Sequence, residues 1–178
     1  MDIENEQQII EKAKVNPADF EPLYTTYYDR ILRFIYKRME DIEDSRDVTA
    51  MVFAKALGNI CKYQHQGLPF SSWLYRIAIN EVNLFYRRTK KARVISLDEN
   101  GLKGIANETD GLSKEDLAAL KRALLYLSEE ELLIIELRFF EERPFSQVAQ
   151  ILDITENNAK VKTYRILDKL RKVFAQIA

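Results

Sequence analysis

The stretch Trp73 to Arg87 carries residues that can make directional polar contacts. On a helix turning about 100° per residue, Arg76, Asn80, Asn83 and Arg87 share one side, with Trp73 at its edge. Leu74, Ile77, Ala78, Val82 and Phe85 share the other. An amide offers a donor and an acceptor, and a guanidinium offers a planar fork of donors. Together they suit base edges and phosphates, and a nearby aromatic ring can stack on an unpaired base. A solvated face over a buried one gives the same pattern. Trp73 fits the core better than a stacking platform, because a large ring gains most from burial.

A second group lies near the C-terminus. Over Glu156 to Lys172, Asn157, Val161 and Tyr164 point outward, flanked by Lys160 and Arg165, while Ala159, Ile166, Leu170 and Phe174 point inward. Lys162, Lys169, Arg171 and Lys172 add charge for phosphates. The preceding Phe145–Leu152 reads as a short helix with Val148, Ile151 and Leu152 inward, and Asp153-Ile154-Thr155 is a tight connection. That is the spacing of a helix-turn-helix. A helical hairpin with a solvated basic face fits the same residues, but the short turn and basic second helix favour DNA.

Composition excludes several other chemistries. Cys61 and His65 are the only cysteine and histidine among 178 residues, which leaves no intrachain disulfide, no thiolate zinc site and no histidine triad. No carboxylate is paired with a base or metal ligand in a recognisable site, so we expect no catalytic residues, metal or cofactor. The net charge of −1 conceals an acidic Glu40–Asp47 and a basic Trp73–Arg93, which points to a localised anion-binding face. The N-terminus MDIENEQQII lacks the basic start and apolar run of a signal peptide, and no apolar run approaches the roughly 20 residues that span a bilayer. The expectation is a soluble cytoplasmic protein with no membrane insertion of its own.

The elements holding these groups are helical. Few Gly and Pro, with long charged–apolar stretches, favour an all-α fold of two small domains. Val48, Val52, Phe53, Ala56 and Ile60 form one helical stripe, a turn is expected near 61–70, and Ser71 or Ser72 is placed to cap the next helix. Residues 94–112 hold three of the five glycines, show no apolar period and read as a linker between domains 1–93 and 113–178. Ser113–Asp116 and Ser128–Glu131 resemble capping boxes, Pro144 suits a helix start and Thr155 can cap the last helix.

PFSSWLYRIAIN and LSEEELLIIELRFFEERPFSQVAQILDITENNAKVKTYRILDKLR, in this order across a linker of this length, resemble regions 2 and 4 of the sigma-70 family of bacterial transcription initiation factors. The narrower likeness is to the compact extracytoplasmic-function group, and it covers nearly the whole chain. The resemblance implies a factor that binds core RNA polymerase at the β′ clamp and β flap, directs it to promoter DNA and assists melting, with all chemistry left to the polymerase. It assigns Arg76, Asn80, Asn83, Arg87 and Arg88 to the −10 element, and makes the loop Lys62–Phe70 a base-reading pocket. It assigns Asn157, Asn158, Lys160, Val161, Lys162, Tyr164 and Arg165 to the −35 element, and Asp47, Ala50, Met51 and Phe53 to the polymerase. It also implies an anti-sigma factor as inhibitory partner.

The sequence departs from the pattern at several positions. The family often has Gln and Glu where Ala50 and Met51 stand, Asp at Leu84, Gly at Asp153, Gly-Thr at Asn157-Asn158 and Ser at Val161. Ala50 and Met51 keep open a stand-alone helix-turn-helix regulator that no longer binds polymerase. A helical interaction protein with two docking lobes is the third reading.

Overall fold

The computed structural model of the chain is described over residues 3–89, 98–108 and 116–177, where every element is a helix or a helical turn. The chain divides into two compact units, 1–96 and 97–178.

The N-terminal unit is built from α1 (Ile3–Val15), α2 (Glu21–Met39), α3 (Ile42–Asn59) and α4 (Phe70–Thr89). Each boundary has a local cause. Asn16 accepts from the Ala18 N–H just before Pro17, starting a 3-10 turn that leads into α2. The α2 helix stops where Glu40 turns left-handed at φ 53°. Asp41 caps α3, accepting from the Asp44 N–H at 2.9 Å. On α2, Leu23, Tyr27, Ile31, Phe34 and Ile35 recur at helical spacing and are buried. They meet the expected stripe Val48, Val52, Phe53 and Ala56 of α3, with Ile60 buried in the turn beyond. Each fully buried aliphatic or Phe side chain contributes about 1.5–3 kcal/mol.

The α4 helix differs from expectation in two respects. It starts at Phe70, so Ser71 and Ser72 lie inside it, both fully buried, and neither caps it. Its inward stripe is Leu74, Tyr75, Ala78, Ile79, Val82 and Tyr86, rotated from the expected one and leaving Ile77 and Phe85 only half-buried. Two tyrosines cause the rotation. Tyr75 is fully buried edge-on to Phe34 at 4.7 Å, and the Tyr86 hydroxyl donates to the Arg38 carbonyl at 2.6 Å. With its polar tip satisfied, a tyrosine packs as a large apolar residue.

The C-terminal unit contains α5 (Glu99–Glu108), α6 (Asp116–Leu124), α7 (Glu129–Ile135), α8 (Phe145–Leu152) and α9 (Glu156–Ile177). A single π-type turn, Glu136–Phe140, extends α7. Here the expected linker is corrected. Residues 99–108 form a helix whose Leu102 and Ile105 are fully buried with Leu120, Leu124, Ile135, Phe139 and Leu167. Gly101 is a packing site: a Cβ there would lie 2.4 Å from the Phe140 ring. The remaining linker residues, and most of the expected cap Ser113–Asp116, lie outside the described residues. The box at Ser128 forms in full, with Ser128 Oγ accepting from the Glu131 N–H at 3.2 Å and the Glu131 carboxylate accepting from the Ser128 N–H at 2.8 Å. Thr155 Oγ1 accepts from the Asn158 N–H at 3.2 Å.

Candidate nucleic-acid and polymerase interfaces

Within the N-terminal unit, burying Leu74, Tyr75, Ala78 and Val82 turns the other side of α4 outward. Arg76, Asn80, Arg87 and Arg88 are exposed there, with Asn83 and Trp73 half-buried at the margins. Trp73 is thus neither core nor free: it packs on Tyr63 at 4.7 Å and on Phe70 at 5.3 Å between ring centroids. Phe70 is the hub of this cluster, fully buried against Phe20, Tyr27, Tyr63 and Trp73. The loop between Lys62 and Phe70 therefore rests on rings. Gly67 turns it at φ 72°, donating its N–H to His65 Nδ1 at 3.2 Å. The Tyr63 hydroxyl is buried with no hydrogen-bond partner among the described residues. Burial, reinforced by the charge of Glu6, pushes its pKa up to about 12.

Two buried carboxylates of the N-terminal unit went unassigned in the sequence. Glu81 faces inward and accepts from Lys55 Nζ at 2.6 Å, tying α4 to α3. Glu6 of α1 accepts from the Tyr27 hydroxyl with one oxygen and from the Phe70 N–H at 2.6 Å with the other. The only sequence signal for either was an acidic residue on an otherwise apolar helix face.

On α3, Asp47, Ala50 and Met51 are exposed along one side. Phe53, assigned to the polymerase by the resemblance and to the inward stripe by periodicity, is 4% exposed and packs between Phe20, Tyr24 and Tyr28, the closest ring 4.9 Å away. Its position on the apolar stripe places it beneath the exposed Asp47, Ala50 and Met51.

In the C-terminal unit, Val148, Ala149 and Ile151 bury the inner side of α8. Asp153 takes the left-handed conformation at φ 59°, the turn for which the family often uses Gly. The Ile154 N–H closes the turn onto the Ala149 carbonyl at 3.0 Å. The α9 helix then buries Ala159, Thr163, Ile166, Leu167 and Leu170, and exposes Asn157, Asn158, Lys160, Val161, Tyr164 and Arg165 together. The expected phosphate cations are less uniform. Lys162 is held by Glu130 and Lys169 by Glu131, both reaching back to the start of α7, and Arg171 pairs with Asp168 at 2.8 Å. The hydrogen bond from Lys169 lowers the Glu131 pKa against the opposing effect of partial burial, and the Ser128 N–H adds to the lowering. Phe145 carries a cluster the sequence reading did not assign: the Arg138 guanidinium lies 4.9 Å over its ring, the Lys160 ammonium 5.9 Å, and Tyr164 packs at 6.2 Å.

Comparison with known proteins agrees with this arrangement. Sigma-70 region 2 matches residues 23–92, and sigma-70 region 4 matches residues 123–172. The chain belongs to the sigma-70 family. The RNA polymerase sigma factor YlaC of Bacillus subtilis is 26% identical over 158 residues, covering 85% of this chain and 90% of YlaC. The ECF RNA polymerase sigma factor BldN of Streptomyces coelicolor is 28% identical over 171 residues, covering 93% of this chain and 64% of BldN. The solved structure of CnrH in complex with the cytosolic domain of CnrY aligns with a TM-score of 0.63 at 17% identity, covering 97% of this chain and 99% of that one, a likeness of fold. This sigma-70 protein is a promoter-directing transcription initiation factor. Its region 2 match contains α3, most of α2 and all of α4, and its region 4 match contains the helix-turn-helix. Among the described residues, no helix is long and apolar enough to cross a membrane, and no group of three acidic, cysteine or histidine residues is placed to hold a metal.

Proposed function

We propose that the α4 face of Arg76, Asn80, Asn83, Arg87 and Arg88 engages the −10 element while the α9 face of Asn157, Asn158, Lys160, Val161, Tyr164 and Arg165 enters the major groove at the −35 element. One observation carries the reading: each matched region holds a helix that is apolar on its buried side and presents amides and cations on the other. The loop ahead of α4 captures a non-template base outside the stack, and the aromatic platform under it supplies the rigidity such a pocket needs. Lys162 contributes by exchanging Glu130 for phosphate.

Asp47, Ala50 and Met51 of α3 meet the β′ clamp of core RNA polymerase, with Phe53 shaping that surface from below, and the region 4 unit meets the β flap. Nucleotide addition belongs to the polymerase, and the protein works in the cytoplasm without catalysis of its own. An anti-sigma factor that covers both polymerase-binding surfaces is the natural inhibitor.

The test is co-elution of the purified protein with core polymerase on a sizing column, followed by promoter-specific transcription. Asp47→Arg should abolish co-elution, and Lys160→Glu with Arg165→Glu should abolish transcription from promoters that need a −35 element. The exposed Ala50 and Met51, where the family often carries Gln and Glu, favour a second reading: a regulator that binds duplex DNA alone. Tight promoter binding without core, together with no co-elution, would establish it.

A further inference from the structure

Glu6 is a costly group to bury. It sits on α1 between the exposed Asn5 and Gln7, yet is 1% exposed. Among the described residues no cation pairs with it; its partners are the Tyr27 hydroxyl and the Phe70 N–H. A carboxylate taken from water needs strong compensation. Phe70 is the first residue of α4, so its N–H has no acceptor within the helix, and the partial positive charge of a helix start offsets part of the lost hydration. The bond joins residues 64 apart in sequence, at the point where the loop after Lys62 becomes helix. The ring of the same residue is clamped beneath that loop by Phe20, Tyr27, Tyr63 and Trp73.

We infer that Glu6 is a positioning residue for base reading at the −10 element: its carboxylate fixes the backbone at Phe70, and through it the exit of the loop and the first turn of α4 bearing Trp73 and Arg76. The inference rests on the proposed −10 role of that loop and face. It assigns a specificity function to α1, which lies ahead of the residues matched to region 2. A hydrogen bond lost here leaves the core packed but lets the loop exit shift, so the consequence is indiscriminate reading at the −10 element. Glutamine can replace the carboxylate in shape, accepting from Phe70 with its oxygen and donating to the Tyr27 oxygen. Leucine leaves the Phe70 N–H without an acceptor.

The experiment is transcription by holoenzyme on a promoter panel carrying each base at each −10 and −35 position, using wild type, Glu6→Leu, Glu6→Gln and Tyr27→Phe. The readout is the ratio of transcript from the best to the worst base at each position. Wild type should discriminate by about 5- to 150-fold at read positions. In Glu6→Leu the −10 ratios should fall towards 1, by about tenfold where wild type discriminates most, while the −35 ratios and co-elution with core are kept, and Glu6→Gln and Tyr27→Phe should keep both. Unchanged −10 ratios in a Glu6→Leu protein that co-elutes with core overturn the inference, as does a parallel fall of the −10 and −35 ratios. A wild type that discriminates at no −10 base overturns the −10 reading itself. Should Glu6→Leu fail to fold, amide exchange in the wild type decides: Phe70 should exchange at least about 100-fold more slowly than an unstructured amide, and unprotected exchange overturns the proposal.

Discussion

Two glycines one turn apart on α5 are expected to respond in opposite directions to the same substitution. In Gly101→Ala the new Cβ would lie 2.4 Å from two carbons of the Phe140 ring and 2.7 Å from a third. Ordinary carbon contacts are about 3.5–4.0 Å, so the ring or the helix must move by about an ångström. Overpacking of this kind costs about 1–3 kcal/mol. Alanine's helix preference returns at most about 1 kcal/mol, less in the first turn. The net expectation is a loss of about 1–2 kcal/mol. In Gly104→Ala the nearest atom is Phe139 Cδ1 at 3.4 Å, an ordinary contact, and the substitution should stabilise by about 0.5–1 kcal/mol. Gly58→Ala on α3, where nothing lies within 4 Å, is the control in the other unit, with a gain of similar size. Amide exchange of segment 99–108, read with urea unfolding of the full chain, measures all three. Gly101→Ala should speed exchange across α5, and Gly104→Ala should slow it. If Gly101→Ala protects α5 as well as Gly104→Ala does, α5 is not seated on Phe140 and residues 99–108 return to the linker.

Phe53→Ala should destabilise the N-terminal unit by about 3–5 kcal/mol by leaving a cavity, whereas Asp47→Arg should leave stability unchanged and lose only co-elution with core; equal urea midpoints for the two variants would refute the separation. Lys55→Met removes the cation that Glu81 faces, and should cost about 1–2 kcal/mol because Lys55 is itself partly exposed. A smaller loss for the Glu81→Leu, Lys55→Met double variant than for Lys55→Met alone would confirm that the uncompensated carboxylate is the cause. The Glu131 pKa is depressed in the fold, so its contribution is present above about 4.5 and lost as pH falls below that value. Unfolding of the C-terminal unit followed from pH 7 to pH 3 should show this loss, and Glu131→Gln should flatten it.

The sequence by itself determined the repeating parts of this protein. The apolar stripe of α3, the capping box at Ser128, the helix-turn-helix and its left-handed Asp153, and the outward groups of α9 all depend on residues a few positions apart. A helix of fixed pitch places such residues without reference to the rest of the chain. The same periodicity found the outward face of α4, but set its inward stripe wrongly because it left Tyr75 and Tyr86 out. Tertiary structure decided what depends on distant partners. Gly101 and Gly104 read locally as breaks, yet the segment is helix because Leu102 and Ile105 are buried and Gly101 sits against the Phe140 ring, where a side chain would not fit. Phe53 lies on the apolar stripe that periodicity found, but only the folded chain shows which rings, Phe20, Tyr24 and Tyr28, close over it. Glu81 and Glu6 are satisfied by groups 26 and 64 residues away. A buried charge is tolerated only where the folded chain brings donors to it, and no local pattern records where those donors will be.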